Sequence, residues 1–263
     1  MSEPPSGPRW NPQTYLQFAD HRTRPFVDLL ARVPGERRSV VDLGCGPGHL
    51  TALMRTRWPD ADIVGVDSSP EMIDRASAEN TDPRARYVLG DIAGWAPDEP
   101  VDLIISNAAF QWVPDQLEVV PRLREYLKPG GVLAFQVPNN FHGPSHVLLR
   151  ELAAADPYAR YAAGKALARG VTAATYLALL ADTGWTVDAW ETTYLQVRPG
   201  EDAVFDWMSG TGARPVLQAL PDELRPQFVD EYKSLLRKAY PQQAYGTVLP
   251  FPRVFVVVSQ DVV

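Results

Sequence analysis

Apolar residues fall in short runs from Ser39 onward: Val40-Val41-Asp42-Leu43, Ile63-Val64-Gly65-Val66, Tyr87-Val88-Leu89, residues 101–105 and residues 132–137. Runs this short and rich in Val, Ile and Leu read as strands buried on both faces. Between most of them lie amphipathic segments, residues 49–57, 70–78 and 116–127, with apolar positions at helical spacing. The third runs into Lys128-Pro129-Gly130-Gly131, a basic residue followed by Pro and Gly, which predicts a helix stop. The stretch between Leu89 and Val101 is short and broken by Gly94 and Pro97, so an irregular crossover is expected there. Alternating strands and helices imply a parallel sheet covered on both faces.

The second half changes character. Residues 141–183 read as helices, with Thr172 as an N-cap and Gly184 as a stop, and residues 186–197 alternate like a strand. Residues 200–245 are helical again, notably 222–240, and 254–258 form a final strand. The pattern predicts one domain over 1–263. Its core spans about 36–140 plus strands near 186–197 and 254–259, and helical cap segments at about 141–183 and 200–245 cover the sheet's carboxyl edge, where open α/β sheets bind ligands. Ahead of the core, residues 1–12 are a Pro-rich arm. Two short helical patterns follow, Tyr15, Leu16, Phe18 and Ala19, then Phe26, Val27, Leu29 and Leu30 opening at Pro25.

Composition narrows the partners. The 263 residues carry 32 acidic and 25 basic groups, a net charge of −7 that argues against a nucleic-acid surface or a polybasic membrane contact. A single cysteine, Cys45, closes no internal disulfide and builds no Cys-based zinc site. No apolar stretch approaches the roughly 20 residues of a spanning helix, and the first twenty residues hold no apolar core of a secretory signal. A cytoplasmic protein that binds a small molecule, with no metal and most simply a monomer, is the expectation. Among the basic residues, 21 are Arg and only Lys128, Lys165, Lys233 and Lys238 are Lys. Residues 1–140 sum to −5 and residues 141–263 to −2, so an anionic ligand must rely on a few local arginines in the second half.

The sharpest local signal is Leu43-Gly44-Cys45-Gly46-Pro47-Gly48-His49-Leu50, a strand running into a glycine loop and then a helix. A dinucleotide site wants G-x-G-x-x-G with a pyrophosphate at the helix N-terminus. Here the sixth position from Gly44 is His49, and the glycines follow G-x-G-x-G instead. Asp67 ends the second strand, 23 residues beyond Gly44. Its carboxylate suits both hydroxyls of a ribose, in a nicotinamide cofactor as well as other nucleosides, or it caps the helix near Pro70, a role Ser68 or Ser69 can fill.

The loop and its strand and helix resemble motif I of the class I S-adenosylmethionine-dependent methyltransferases. That family implies a Rossmann-like fold with a seven-stranded, mostly parallel sheet, helices on both faces and a helical cap. The resemblance implies S-adenosylmethionine as cofactor, bound by Gly44, Cys45, Gly46, Leu50, Asp67, Ser68 and Met72, with Asp67 on the ribose. Asp91 would receive the adenine amino group and Ile92 pack on the ring, with a turn-forming Asp as the alternative for Asp91. The post-strand segment Asn107-Ala108-Ala109-Phe110-Gln111-Trp112 resembles the family's methionine-facing stretch, and Trp112 either walls the methyl-transfer site or joins the core. Tyr15, Phe18 and Arg22 either fold over the cofactor or form an amphipathic helix on the sheet.

Beyond the superfamily, Trp10-Asn11-Pro12, Arg22-Thr23-Arg24-Pro25, Pro144 through Glu151, Thr211-Gly212-Ala213-Arg214-Pro215 and Phe251-Pro252-Arg253 resemble the trans-aconitate methyltransferase family over nearly the whole chain. One departure is Asn139-Asn140-Phe141, where that family carries an acidic residue and a tryptophan. The resemblance implies methyl transfer to one carboxylate of trans-aconitate, a reaction that needs no general base because the nucleophile is already ionised at neutral pH. Its remaining carboxylates need fixed cations. Arg150, Arg214 and Arg253 are the candidates, with His146 as a donor, against the alternatives of a solvated helix charge, a turn residue, a strand flank and a structural histidine. Arg122, Arg124, Arg237 and Lys238 read as solvated faces.

Overall fold

The computed structural model describes residues 23–166 and 170–260. Its strands are β1 (Ser39–Leu43), β2 (Asp62–Asp67), β3 (Ala85–Leu89), β4 (Val101–Asn107), β5 (Leu127–Pro138), β6 (Trp185–Arg198) and β7 (Thr247–Gln260). Its helices are α1 (Arg24–Arg32), α2 (Thr51–Arg57), α3 (Pro70–Glu79), α4 (Gln116–Arg122), α5 (Pro144–Ala153), α6 (Ala159–Ala162), α7 (Ala173–Leu180), α8 (Ala203–Ser209), α9 (Arg214–Ala219) and α10 (Arg225–Ala239). The strands form one sheet in the order β3-β2-β1-β4-β5-β7-β6. Strand β1 pairs in parallel with β2 and β4, β2 with β3, and β4 with β5.

Central position explains the apolar runs. Strand β1 is buried from Val40 to Leu43, whereas β3, at the sheet edge, buries only Ala85. The strand order reverses between β1 and β4, so the chain leaves their carboxyl ends toward opposite edges of the sheet. That divergence is the ligand crevice of open α/β sheets. No helix intervenes between β3 and β4, in keeping with the irregular crossover expected there.

The described residues form two compact units. The first comprises 23–137, 173–191 and 254–260; the second comprises 138–166, 170–172 and 192–253. The first unit holds β1–β4, nearly all of β5, the first half of β6 and the second half of β7, with α1–α4 and α7. The second is a helical body of α5, α6, α8, α9 and α10 around buried Leu149, Tyr158, Met208, Phe228 and Tyr232, where Tyr158 meets Phe228 edge to face at 4.9 Å.

Three boundaries differ from the sequence expectation. The cap segment expected over 141–183 stops at 172, because α7 belongs to the first unit. There Tyr176 sets its ring edge on Phe135 at 4.9 Å and donates its hydroxyl to the Gln116 side chain. The helix expected over 116–127 gives way at Pro121-Arg122 to a 3-10 turn, Leu123–Tyr126, since Pro121 withholds an amide and crowds the preceding turn. Lys128 to Gly131 then belong to β5 as a bulge: Val101 pairs with Leu127 and Leu103 with Val132, and Gly130 takes φ +73°. Finally, β7 starts at Thr247 rather than near 254, its first half disguised in sequence by Pro250 and Pro252. Among the described residues no helix is long and apolar enough to cross a membrane, and no trio of His, Cys, Asp or Glu is placed to hold a metal.

Candidate functional site

At the end of β1 the amides of Gly44 and Cys45 both donate to the Val66 carbonyl, at 2.8 and 3.1 Å. Gly46 donates to Asp67 Oδ2 at 2.8 Å, and Gly48 to the Cys45 carbonyl at 3.2 Å. Pro47 has no amide. A pyrophosphate cradle needs such N–H groups turned outward, and here four of them are committed to the loop itself and to β2. The helix that follows, α2, has only seven residues and no side-chain cap. The loop is therefore built for a tight turn and close approach rather than for phosphate. Gly44 has φ +79°, and a Cβ there would collide with that of Ala109. Gly46 has φ +54° with nothing within 4 Å of a Cβ placed on it, which leaves the backbone open to a ligand.

Asp67 is held from two sides, Oδ2 by Gly46 N–H and Oδ1 by Ser69 N–H at 2.9 Å. A carboxylate has about four lone-pair sites, so each oxygen retains capacity for a ribose hydroxyl. The capping alternative goes to Ser69, whose hydroxyl accepts the Met72 amide. Ser68 and Met72 are exposed beside it, Leu50 is buried, and the Cys45 thiol is buried and pushed up by desolvation. Asp91 uses Oδ1 to close a turn onto Ala93 N–H at 3.0 Å, the turn-forming role, and is itself exposed. Ile92 is buried near the Gly44 backbone.

After β4, Asn107 accepts a hydrogen bond from the buried Gln136 side chain, and Ala108 N–H donates to the Gln136 carbonyl at 2.9 Å. Ala108 has φ +56°, the only non-glycine positive φ among the described residues. An L-residue pays roughly 1–2 kcal/mol for that conformation, and such strain clusters at functional sites. The strained turn carries Ala109 against Gly44, so the two loops at the β1/β4 divergence interlock. Trp112 ends a 3-10 turn, Phe110–Trp112, and is 59% exposed, which removes the core alternative. Tyr15, Phe18 and Arg22 lie outside the described residues.

Sequence reasoning passed over Asp42. It is 1% exposed, neither carboxylate oxygen has a hydrogen-bond partner, and burial, reinforced by Asp67, pushes it up to about 7. In the sheet register Asp42 lies beside Gly65, and Gly65 beside Tyr87. The Tyr87 ring and Cys45 Sγ lie within 2.9 Å of where a Gly65 Cβ would stand. The signal was available: one carboxylate inside an apolar strand that leads into the glycine loop.

In the second unit, His146 and Arg150 lie on α5. His146 is buried, its Nδ1 3.3 Å from the Ser145 hydroxyl, its ring edge toward Phe141 at 5.3 Å and its Nε2 against Gly212. Desolvation first, then the Arg150 charge, hold it down at about 4, so it is neutral at neutral pH. Arg150 donates to the Phe141 carbonyl at 2.8 Å. Arg253 is 8% exposed, stacks over Phe251 at 4.3 Å and is lowered to about 10, chiefly by burial. The bond from Asn139 N–H to the Pro252 carbonyl (2.9 Å) ties its segment to the one holding Phe141. Arg214 is exposed at the start of α9, two residues past Gly212. His146 and Arg150 thus meet at Phe141, and Arg253 joins that segment only through the backbone of its neighbour Pro252. Of the cations expected to be solvated, Arg122 reaches the Ala93 carbonyl, Arg124 the Leu180 carbonyl and the Trp185 face, and Arg237 forks onto Asp202. These three brace structure, because the guanidinium fork donates to carbonyls and carboxylates and lies over a ring face.

A family model described as a methyltransferase domain matches residues 15–189. Proteins named trans-aconitate 2-methyltransferase are similar over nearly the full length. That of Streptomyces coelicolor is 48% identical over 97% of this chain and 88% of its own. The Streptomyces avermitilis protein is 47% identical over 98% and 99%, and that of Escherichia coli O139:H28 is 46% identical over 94% and 97%. Among solved structures, the YcgJ protein from Bacillus subtilis superposes with a TM-score of 0.57 at 18% identity, covering 92% of this chain and 99% of that one. A putative methyltransferase from Bacillus halodurans gives 0.55 at 15% identity, covering 90% and 98%. These structural likenesses speak for the seven-stranded methyltransferase fold, and the sequence matches extend through both units. The chain belongs to the trans-aconitate 2-methyltransferase family of methyltransferase-domain proteins.

Proposed function

We propose that this chain transfers a methyl group from S-adenosylmethionine to one carboxylate of trans-aconitate, or of a closely similar small polycarboxylic acid, giving a monomethyl ester and S-adenosylhomocysteine. The observation that carries the reading is the near-full-length likeness to proteins named for that reaction, which covers the donor-rich second unit as well as the sheet. The loop chemistry supports the cofactor: its amides are committed internally, so it suits a nucleoside without a pyrophosphate and counts against a nicotinamide dinucleotide.

The residues present fit the cofactor. Asp67 keeps lone pairs for a ribose, Gly46 lets a ligand reach the backbone, and exposed Asp91 has a second oxygen for an amino group. Exposed Met72 and Trp112 offer apolar cover, and Gln136 fixes the Asn107 amide for the methionine part. When bound, S-adenosylmethionine supplies an electrophilic methyl group on a sulfonium. The acceptor carboxylate, with a pKa of about 4, is ionised near neutrality and takes the methyl without a proton moving. His146, held at about 4, is then a poor general base and serves as a neutral hydrogen-bond group. Arg150, Arg214 and Arg253 bind the carboxylates that are not methylated. Catalysis rests on holding the two reactants in line. The setting we infer is a cytoplasmic monomer.

The test is purified protein with S-adenosylmethionine and a mixed pool of organic acids, with products read by mass spectrometry. A base-labile monomethyl ester of trans-aconitate is expected. Unmodified trans-aconitate beside another methylated compound overturns the substrate, and a larger thermal shift with NAD than with S-adenosylhomocysteine overturns the cofactor.

A further inference from the structure

Asn140 stands just beyond β5, is 5% exposed, and its side-chain nitrogen Nδ2 has no hydrogen-bond partner. Its backbone is pinned on both sides: Asn139 N–H donates to the Pro252 carbonyl, and the Asn140 carbonyl accepts Gly143 N–H, each at 2.9 Å. Buried amide donors are ordinarily paired, and leaving one unpaired costs free energy that an apolar side chain of the same size would avoid.

The surroundings say what kind of acceptor it awaits. Phe141, the next residue, gives its carbonyl to Arg150 and its ring to His146. Arg253, buried, directly follows the Pro252 that Asn139 grips. The charge acting on His146 is that of Arg150, and the group acting on Arg253 is the Tyr194 phenol. The segment thus carries an amide donor next to Phe141, on which one guanidinium and a neutral imidazole converge, groups complementary to carboxylate oxygens.

We propose that Asn140 is a substrate-reading residue whose Nδ2 donates to a carboxylate that is not methylated, so that it sets the preference for acids with more carboxyl groups over those with fewer. This rests on the reading given under Proposed function and adds the residue that discriminates among acids. A charge-assisted bond from a buried donor corresponds to roughly a 10-fold to 100-fold change in kcat/KM.

The experiment compares wild type with Asn140→Leu and Asn140→Ala on trans-aconitate and on a dicarboxylate lacking one of its carboxyl groups. S-adenosylhomocysteine affinity and urea unfolding are measured on the same samples. Both variants are expected to lose about 10-fold to 100-fold in kcat/KM on the tricarboxylate, chiefly through KM, and much less on the dicarboxylate. Affinity for S-adenosylhomocysteine should not change, and Asn140→Leu should be no less stable than wild type because the orphan donor is gone. Equal losses on both acids, or an unchanged ratio, overturn the proposal. If Asn140→Leu does not fold, the Asn140→Ala ratio decides alone. A wild-type enzyme that methylates no polycarboxylate sinks the proposed function itself, an outcome distinct from an unchanged ratio.

Discussion

Replacing Asp42 by Asn should make the protein more stable at neutral pH. In an unfolded chain an aspartate ionises near 3.9, whereas burial, with Asp67 adding to it, raises Asp42 to about 7 in the fold. The shift of about three units corresponds to about 4 kcal/mol. Between about pH 4 and pH 7 the native state keeps this proton and the unfolded chain has lost it. The unfolded state then binds fewer protons, so stability falls as pH rises, by about 1.4 kcal/mol per unit, and levels off above 7. For a domain whose total stability is of the order of 5–15 kcal/mol, one residue withholds a sizeable share. Asn has nearly the same shape and no titration. Its own unpaired donors cost the same at every pH and cancel from the pH-dependent part. Urea unfolding of wild type and Asp42→Asn at intervals from pH 4 to 8 should show the difference growing in favour of the variant by up to about 4 kcal/mol. A difference that is flat across this window, or that grows the other way, would refute the assignment of a buried, partnerless carboxyl.

Two further predictions concern the interlocked loops. Gly44→Ala combines left-handed strain of about 1–2 kcal/mol with overpacking against Ala109 of about 1–3 kcal/mol. A loss of roughly 2–5 kcal/mol in the same unfolding assay is expected, and a neutral effect would mean the Ala109 turn yields freely. Ala108→Gly removes the strain at φ +56° but adds chain entropy to the unfolded state, so stability should stay level or rise by up to about 1 kcal/mol. A clear loss would show that the Ala108 methyl packs usefully.

Much of the first unit was legible because burial on both faces writes itself as short runs dominated by Val, Ile and Leu, as in β1 and β4. The glycine loop was legible too, since alternate glycines ahead of a helix have few other uses. What escaped had a physical reason. Proline inside β7 hid its first half, because Pro250 and Pro252 read as breakers although the strand passes through them. The bulge at Lys128 to Gly131 looked like helix-stop chemistry because the same Pro and Gly residues serve both ends. Asp42 was counted into an apolar run, and its isolation shows only when the neighbouring strands are placed. Asn140 drew notice only as a departure from a pattern, since whether a buried amide has a partner is a property of three dimensions. Among the cations, sequence named Arg253 and Arg150 but could not tell a buried guanidinium from an exposed one such as Arg214.

Strand β7 follows every other described element in sequence, yet it lies between β5 and β6 in the sheet. As the chain emerges during synthesis, β1 to β5 can pair with one another, but β6 has no neighbour until β7 arrives. Until then β5 presents an open edge whose buried stretch, Val132 to Val137, is almost wholly apolar. Unpaired edges of this kind invite pairing with other chains. Chains interrupted before residue 247 are thus expected to be the sticky species in any preparation, because only β7 covers the edge that β5 leaves open.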